Sequence, residues 1–439
     1  MGDFSNTDKT NVGRRGFLTA ISAGLALPAS GALSGTLSGA FAEESGEKAQ
    51  KSAAQPLVES FPVLQNPTPT SITAAWAVSA LATGWVEWGT SRELGQTAHN
   101  TEFGLRQLEE RFLCVPITGL APNTTYFYRT ATVPIDFKNA YKVTPGEPVY
   151  SDIYSFTTPG PAPQSARFAV MNDTHENQKT LAALTARIAE VGTDLTIWNG
   201  DLIGDYNSSD AIVHSILCPA GAPFAVEKPM LFTNGNHDHR GIWARKKNKA
   251  LTPWVQSDPK FRALGRNFAV RIGPLALIGL DTGEDKPDAH PVFAGLAEFE
   301  PYRALQAAWL AETLESPEIA SAPIVVAFCH IPLFDPDANA NPGDILESFA
   351  SWQRPSAKLW GPLFEKHHVP LLIAAHMHKF RYDEPTEARS WAQLVGGGPD
   401  LEKNATLIFG EIKENKLVVT AEKLADHSVL GTWSFPPRS

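Results

Sequence analysis

Five short polar clusters, each directly after an apolar run, constrain this 439-residue chain more than any other feature. They are Asp173-Thr174-His175, Gly200-Asp201, Gly235-Asn236-His237-Asp238, His330, and His376-Met377-His378. The runs ahead of them, 168–171, 195–198, 230–232, 324–328 and 371–375, are nearly continuous hydrophobics, the pattern of strands buried on both faces in an α/β core. Open α/β sheets place their sites at strand ends, so the clusters are expected to meet there. Residues i and i+2 of an extended segment project to one side; by this reading Asp173 with His175, and His376 with His378, each aim two donors at one place. Together the clusters supply oxygen and nitrogen donors for two adjacent metal ions, with one histidine to spare. Carboxylate, imidazole and amide donors suit zinc, manganese or iron. No thiolate cluster accompanies them, which argues against a closed structural zinc site and for one with positions left to water and substrate.

In type and order the clusters resemble the D-x-H, G-D, G-N-H-D/E, H and G-H-x-H motifs of the calcineurin-like metallophosphoesterases, from about Arg167 to the end of the chain. The resemblance implies one metal held by Asp173, His175, Asp201 and His378, and a second held by Asp201, Asn236, His330 and His376, with Asp201 bridging. It implies that a water activated between two cations about 3.5 Å apart, a metal-bound hydroxide, is the nucleophile. It also implies that His237 protonates the leaving alkoxide or steadies a phosphoryl oxygen, with Asp238 orienting the ring; a turn-stabilising histidine is the competing reading. Ala375 stands where the family usually has glycine, a change that removes no ligand. The N-terminal half is similar to that of purple acid phosphatases. In that branch a tyrosine three residues after the bridging aspartate binds ferric iron; Gly204 holds the position here, with Tyr206 two residues on, and the first motif carries His175, which that branch lacks. A dinuclear site without purple colour is therefore expected. The implied fold is a four-layer α-β-β-α metallophosphoesterase sandwich over 166–439, preceded by an all-β fibronectin type III-like sandwich over 56–158. Periodicity alone gives a mixed α/β domain.

The first 42 residues carry Gly13-Arg14-Arg15-Gly16-Phe17-Leu18-Thr19, a small-residue apolar stretch broken by Pro28, and Ala40-Phe41-Ala42 as an A-x-A-like cleavage signal. This resembles a bacterial twin-arginine export signal, which implies the twin-arginine machinery as a partner, export of a folded and metal-loaded protein to the periplasm or beyond, and no permanent membrane span. Residues 43–55 are polar and read as a flexible tether. Within 56–158, Ile72, Ala74 and Trp76 alternate, and the string from Leu120 to Arg129 resembles the tyrosine-corner strand of fibronectin type III domains. Trp76 and Tyr126 are expected in the core. The Pro-rich stretch 159–165 marks the domain boundary. Beyond it, Leu181, Leu184, Ile188 and Val191 share one face of a helix ending at Gly192, 269–272 and 275–280 form a strand pair, and 305–314 is an amphipathic helix. Cys114, Cys218 and Cys329 make no disulfide framework, though one bridge between the first two stays open. Cys329 is expected to point away from the metals.

His239 and Arg240 follow the third cluster and read either as charge-assisted donors to a substrate phosphate or as surface residues. The Pro-, Asp- and Asn-rich stretches 283–301 and 335–355 read either as rims of the site or as solvated loops. His367 and His368 belong to a helix end, and Gly396-Gly397-Gly398 resembles the glycine-rich turn after the family's last motif. A net charge of −10 and no basic run exclude a general nucleic-acid scaffold. Two function classes follow: a hydrolase of phosphomonoesters or phosphodiesters acting on a phosphorylated small molecule, or an exported binding protein that keeps a metal site without catalysis. Retirement of an active site shows as lost ligands, and none is lost here.

Overall fold

The structure is a computed structural model that describes residues 55–336 and 349–438. The export signal 1–42, the tether 43–55 up to its last residue, and 337–348 of the second loop stretch lie outside the described residues. All five apolar runs are strands: Arg167–Met171, Leu195–Asn199, Met230–Thr233, Ile324–Cys329 and Leu371–Ala374. The first three pair in parallel within one sheet. The last two pair in parallel in a second sheet, between Leu275–Leu280 and Ala392–Val395.

Alternation along these strands sorts their side chains into layers. Phe168, Val170, Leu195 and Ile197 of the first sheet meet Phe268, Val326, Phe328 and Ile373 of the second in a shared core, where the Phe168 and Phe328 rings sit edge to face at 5.7 Å. Ala169, Met171 and Trp198 face outward against the helix Gln178–Val191. On the far side Ala276, Ile278, Val325 and Ala327 pack with Trp309 and Leu310 of the helix Phe299–Glu315 and with Trp360 and Phe364 of Phe349–Lys366. The order of layers is therefore helix, sheet, sheet, helix. Each large side chain fully withdrawn from water stabilises by about 1.5–3 kcal/mol.

The helix Gln178–Val191 starts where the Asn177 side chain accepts from the amides of Lys179 and Thr180, and it stops at Gly192, whose φ of 69° lets its amide reach Ile188. Helix Phe299–Glu315 begins earlier than the sequence pattern suggested, so the end of 283–301 is helical, and Phe349–Lys366 begins inside 335–355 and carries Pro355 and Pro362. His367 follows that helix directly, and its amide still reaches Leu363.

In the N-terminal domain Trp76 is buried and donates through Nε1 to Thr132 Oγ1 at 2.9 Å. The Tyr126 hydroxyl accepts the Ala121 amide at 2.9 Å, the bond a tyrosine corner requires. The stretch 159–165 separates the domains in sequence, yet the first sheet runs through both. Val63–Thr68 lies parallel to Met230–Thr233, with Gln65 opposite Met230, and the sheet continues into Ser71–Ala77 and Phe112–Thr118. Val63, Ala77 and Phe112 share a core with Trp198 and Tyr206, and the Tyr128 hydroxyl donates to Val226 O at 2.6 Å. The three cysteines are free, and Cys329 lies buried in the outer core of the second sheet.

Candidate metal centre

The polar clusters sit just past the strand ends, and their convergence comes from turns rather than from strand periodicity. Asp173, His175, Asp201, His376 and His378 have φ of 45°, 41°, 51°, 71° and 50°. The i, i+2 spacing was thus the right signal for the wrong geometry: each pair meets because its backbone turns through the left-handed region, which aspartate and histidine enter more readily than most residues. Strain of this kind, about 1–3 kcal/mol per residue, gathers at functional sites where the surroundings over-determine it.

All seven expected ligands come together. His378 Nε2 lies 3.2 Å from Asp173 Oδ1 and 3.1 Å from His175 Nε2, which in turn is 3.7 Å from Asp201 Oδ2. His330 Nε2 is 3.1 Å from Asp201 Oδ2, and His376 Nδ1 is 2.9 Å from Asn236 Oδ1. Asp173 with His175 and His378, and Asp201 with His330 and His376, each offer donor atoms within 4.8 Å of one another. A third such group, His175, Asp201 and His237, overlaps both, so Asp201 touches each half and His237 also lies within ligand reach. Buried Asp173 Oδ1 and His330 Nε2 find no aligned hydrogen-bond partner in the protein, and the donors are all oxygen and nitrogen. Orphaned donors of this type, aimed at one another, fit metal cations.

Burial works against the charged form of both carboxylates, but the His330 imidazole overrides it and holds Asp173 and Asp201 below the usual carboxylate range. Burial likewise opposes a charged His330, and the two aspartates outweigh it, pushing that group up to about 10. His376 is pushed the other way, to about 4, by burial and by His330.

Further side chains hold the ligands, and the sequence reading missed them. Asn172 Nδ2 donates to Asp173 Oδ2 and to Gly397 O, each at 2.8 Å. Asn199 donates to Cys329 O and Ile373 O, tying the two sheets together behind the centre, and its own carbonyl lies 2.9 Å from His330 Nδ1. The signal was present as an asparagine closing each of the first two strand runs. The Gly396-Gly397-Gly398 turn leads into no helix; a Cβ at Gly396 would lie 2.2 Å from Asn172 Oδ1, and one at Gly397 only 1.8 Å from Asn404 O.

His237 stands beside the ligands. Its amide donates to Asp201 Oδ1 at 2.9 Å, its ring lies 4.8 Å from that of His175, and its Nδ1 is 2.5 Å from Gly204 O. Asp238 does not orient that ring, as the motif had implied. Its buried carboxylate accepts the Asp201 and Gly235 amides and the Tyr206 hydroxyl, at 2.8, 2.7 and 2.7 Å; the ring is fixed by Gly204, and the carboxylate instead clamps the turn that presents Asp201. Tyr206, buried, spends its phenol on Asp238. His239 gives Nε2 to Asp281 at 3.2 Å and lays its ring against Phe299, so it is held away from the role of phosphate donor. Arg240 does reach the centre's edge, with Nη1 3.0 Å from His237 Nε2, while Glu284 and Asp285 grip the rest of its guanidinium. Neither acid was singled out from the sequence. The stretch 283–301 thus contributes directly to the site's edge.

A two-sheet sandwich whose strand ends gather four histidines, two aspartates and an asparagine defines a metal-dependent phosphoesterase. Residues 166–380 match the calcineurin-like phosphoesterase family, and residues 61–158 match the N-terminal domain of purple acid phosphatase; the chain carries a calcineurin-like phosphoesterase domain. Among solved structures, it is similar to a purple acid phosphatase from yellow lupin (Lupinus luteus) seeds, at 14% identity and a TM-score of 0.60, over 85% of this chain and 73% of that one. It is similar also to PhoD, at 13% identity and a TM-score of 0.54, over 85% and 88% of the two chains. At these identities the likeness is one of fold. Comparison with curated proteins found no match. Among the described residues no helix is long and apolar enough to cross a membrane.

Proposed function

We propose that this protein hydrolyses phosphoric esters of small molecules at a dinuclear centre held by Asp173, His175, Asp201, Asn236, His330, His376 and His378, and that it works outside the cytoplasm of a bacterium after export by the twin-arginine machinery. The convergence of all seven side chains, with buried Asp173 Oδ1 and His330 Nε2 making no aligned hydrogen bond within the protein, carries the reading. Two cations there would supply a water of lowered pKa and neutralise phosphoryl oxygens; iron, manganese and zinc all suit the donor set.

The chain's own residues supply the rest. Gly204 O can only accept, so the 2.5 Å contact puts a proton on His237 Nδ1 and leaves Nε2 as the atom that exchanges protons with substrate. Arg240 Nη1, 3.0 Å away, sets a fixed positive charge at the same edge. Arginine can only donate, so Nε2 accepts from Arg240 in this structure; a leaving alkoxide receives a proton from Nε2 only when the ring carries both protons and Arg240 has turned from it to a phosphoryl oxygen. Proton donation of this kind contributes about 10²- to 10⁴-fold.

The test is a panel of nitrophenyl phosphomonoester and phosphodiester with manganese, zinc or iron, with and without chelator, beside elemental analysis. Turnover restored by metal, and lost by roughly 10²- to 10⁴-fold in His237→Gln with metal content kept, supports the proposal. Metal-loaded protein that turns over neither ester would mark it as a binding protein. The export signal is tested separately, by whether Arg14→Lys with Arg15→Lys keeps the protein in the cytoplasm.

A further inference from the structure

We infer that the cavity beside His237 and Arg240 receives the alcohol half of the ester and selects apolar, ring-sized alcohols; this rests on the phosphoesterase reading above. The cavity holds about 500 Å³ and is lined by Asp205 and Arg240 together with Val292, Phe293, Leu296 and Phe299, a size ordinary for a small-molecule site. Its position decides which half of the substrate enters. Arg240 forms its wall while lying 3.0 Å from His237 Nε2. Hydrolysis joins a water oxygen to phosphorus and breaks the bond from phosphorus to the alcohol oxygen. That oxygen takes its proton at Nε2 of the doubly protonated ring, Arg240 having turned to a phosphoryl oxygen, and the proton shed by water restores the ring through solvent. The alcohol must therefore leave on the His237 side, into the cavity.

The apolar lining sets the chemistry. Val292 and Leu296 are 66% and 71% exposed, on a tight turn in which Ala294 and Gly295 have φ of 50° and 74°. Phe299 is held edge-on by the His239 ring at 4.8 Å and by Phe293 at 6.2 Å. This role accounts for His239, whose Nε2 Asp281 fixes. The nearby cations Arg240 and Lys286 are paired with two carboxylates, Arg240 with Glu284 and Asp285 at 2.8 and 3.0 Å and Lys286 with Asp285 at 2.7 Å, so this group carries little net charge. Exposed Arg245 also lines the cavity, and the test includes a charged alcohol for that reason.

The experiment compares kcat/KM for the phosphoesters of ethanol, 2-phenylethanol and a para-carboxylated 2-phenylethanol, primary alcohols of similar leaving-group strength, with the metal-loaded full chain. The phenylethyl ester should exceed the ethyl ester by about tenfold or more, and Leu296→Ser or Phe293→Ala should cut that ratio to below about threefold. Leu296 is exposed, so its replacement leaves folding intact even where Phe293→Ala does not. Equal rates for ethyl and phenylethyl esters, a preference for the carboxylated ester, or a ratio unmoved by Leu296→Ser would each overturn the inference. Failure to cleave any ester would instead strike the phosphoesterase reading.

Discussion

Asp238→Asn decides whether this carboxylate serves the His237 ring or the backbone under the metal ligands. Its side chain is buried and accepts from Asp201 N, Gly235 N and the Tyr206 hydroxyl. A hydrogen bond to a charged partner contributes about 1.5–3 kcal/mol and a neutral one about 1 kcal/mol. Asparagine can keep its carbonyl on the two amides and let the Tyr206 hydroxyl turn to accept from its NH₂, so the loss is the difference, about 1 kcal/mol per bond and about 3 kcal/mol in all. For a 439-residue chain the unfolding entropy is about 0.9 kcal/mol/K, which converts that loss to a fall in Tm of about 3 °C. Loosening the Asp201 turn should also weaken metal binding if Asp201 is a ligand as proposed, since supporting contacts of this kind are worth about 10- to 100-fold in metal affinity. Calorimetry, metal titration and kcat as a function of pH read the three consequences. The expected result is lower Tm and weaker metal binding, with kcat recovering at saturating metal. An unchanged Tm and metal affinity, with kcat down a hundredfold and its pH profile moved, would refute the reasoning and return Asp238 to the imidazole.

Two other outcomes follow from buried polar groups. Burial pushes the Lys247 ammonium down to about 7 against the pull of Asp238; below that pH both folded and unfolded lysine are protonated, whereas from pH 7 up to about 10.5 only the unfolded one is. The unfolded state then binds more protons, so this group makes stability rise with pH across that window, and the rise should vanish in Lys247→Met when urea unfolding is compared at pH 7 and pH 10; a variant with the wild-type slope would contradict it. Tyr126→Phe strips the acceptor from the Ala121 amide and should cost about 1–2 kcal/mol. Because Val63, Ala77 and Phe112 share a core with Trp198, the loss should lower a single unfolding transition common to both domains, and two separated calorimetric peaks would count against the continuous sheet.

How much of this was legible depends on whether the information was local. The five strand runs, the helix closed by Gly192 and the tyrosine corner are each written within about fifteen residues, and each is found where the pattern put it. The ligand set was legible for a different reason: metal donors are a small group of residue types, and their motif order survives even when the geometric argument for it does not. Contacts between distant segments were not legible. Nothing near Gln65 announces that it will lie opposite Met230, and an Asp after a Gly-Asn-His reads as the partner of the adjacent ring until the fold delivers the Asp201 amide from the preceding motif and the Tyr206 hydroxyl beside it.

The same distinction explains why the edge of the site escaped the sequence. Arg240 could be suspected from its place after the third motif, but its direction is set by Glu284 and Asp285, more than forty residues on. Those acids draw the guanidinium along the metal centre's rim while His237, fixed through Gly204 O, presents Nε2 to it. A cation left unpaired in that position would penalise neutral alcohols by leaving a charge desolvated. Pairing it makes the rim a positioning device with little net charge. The acidic pair therefore belongs to the selectivity of the site as much as to its stability, and Glu284→Gln should alter discrimination among alcohols more than it alters metal content.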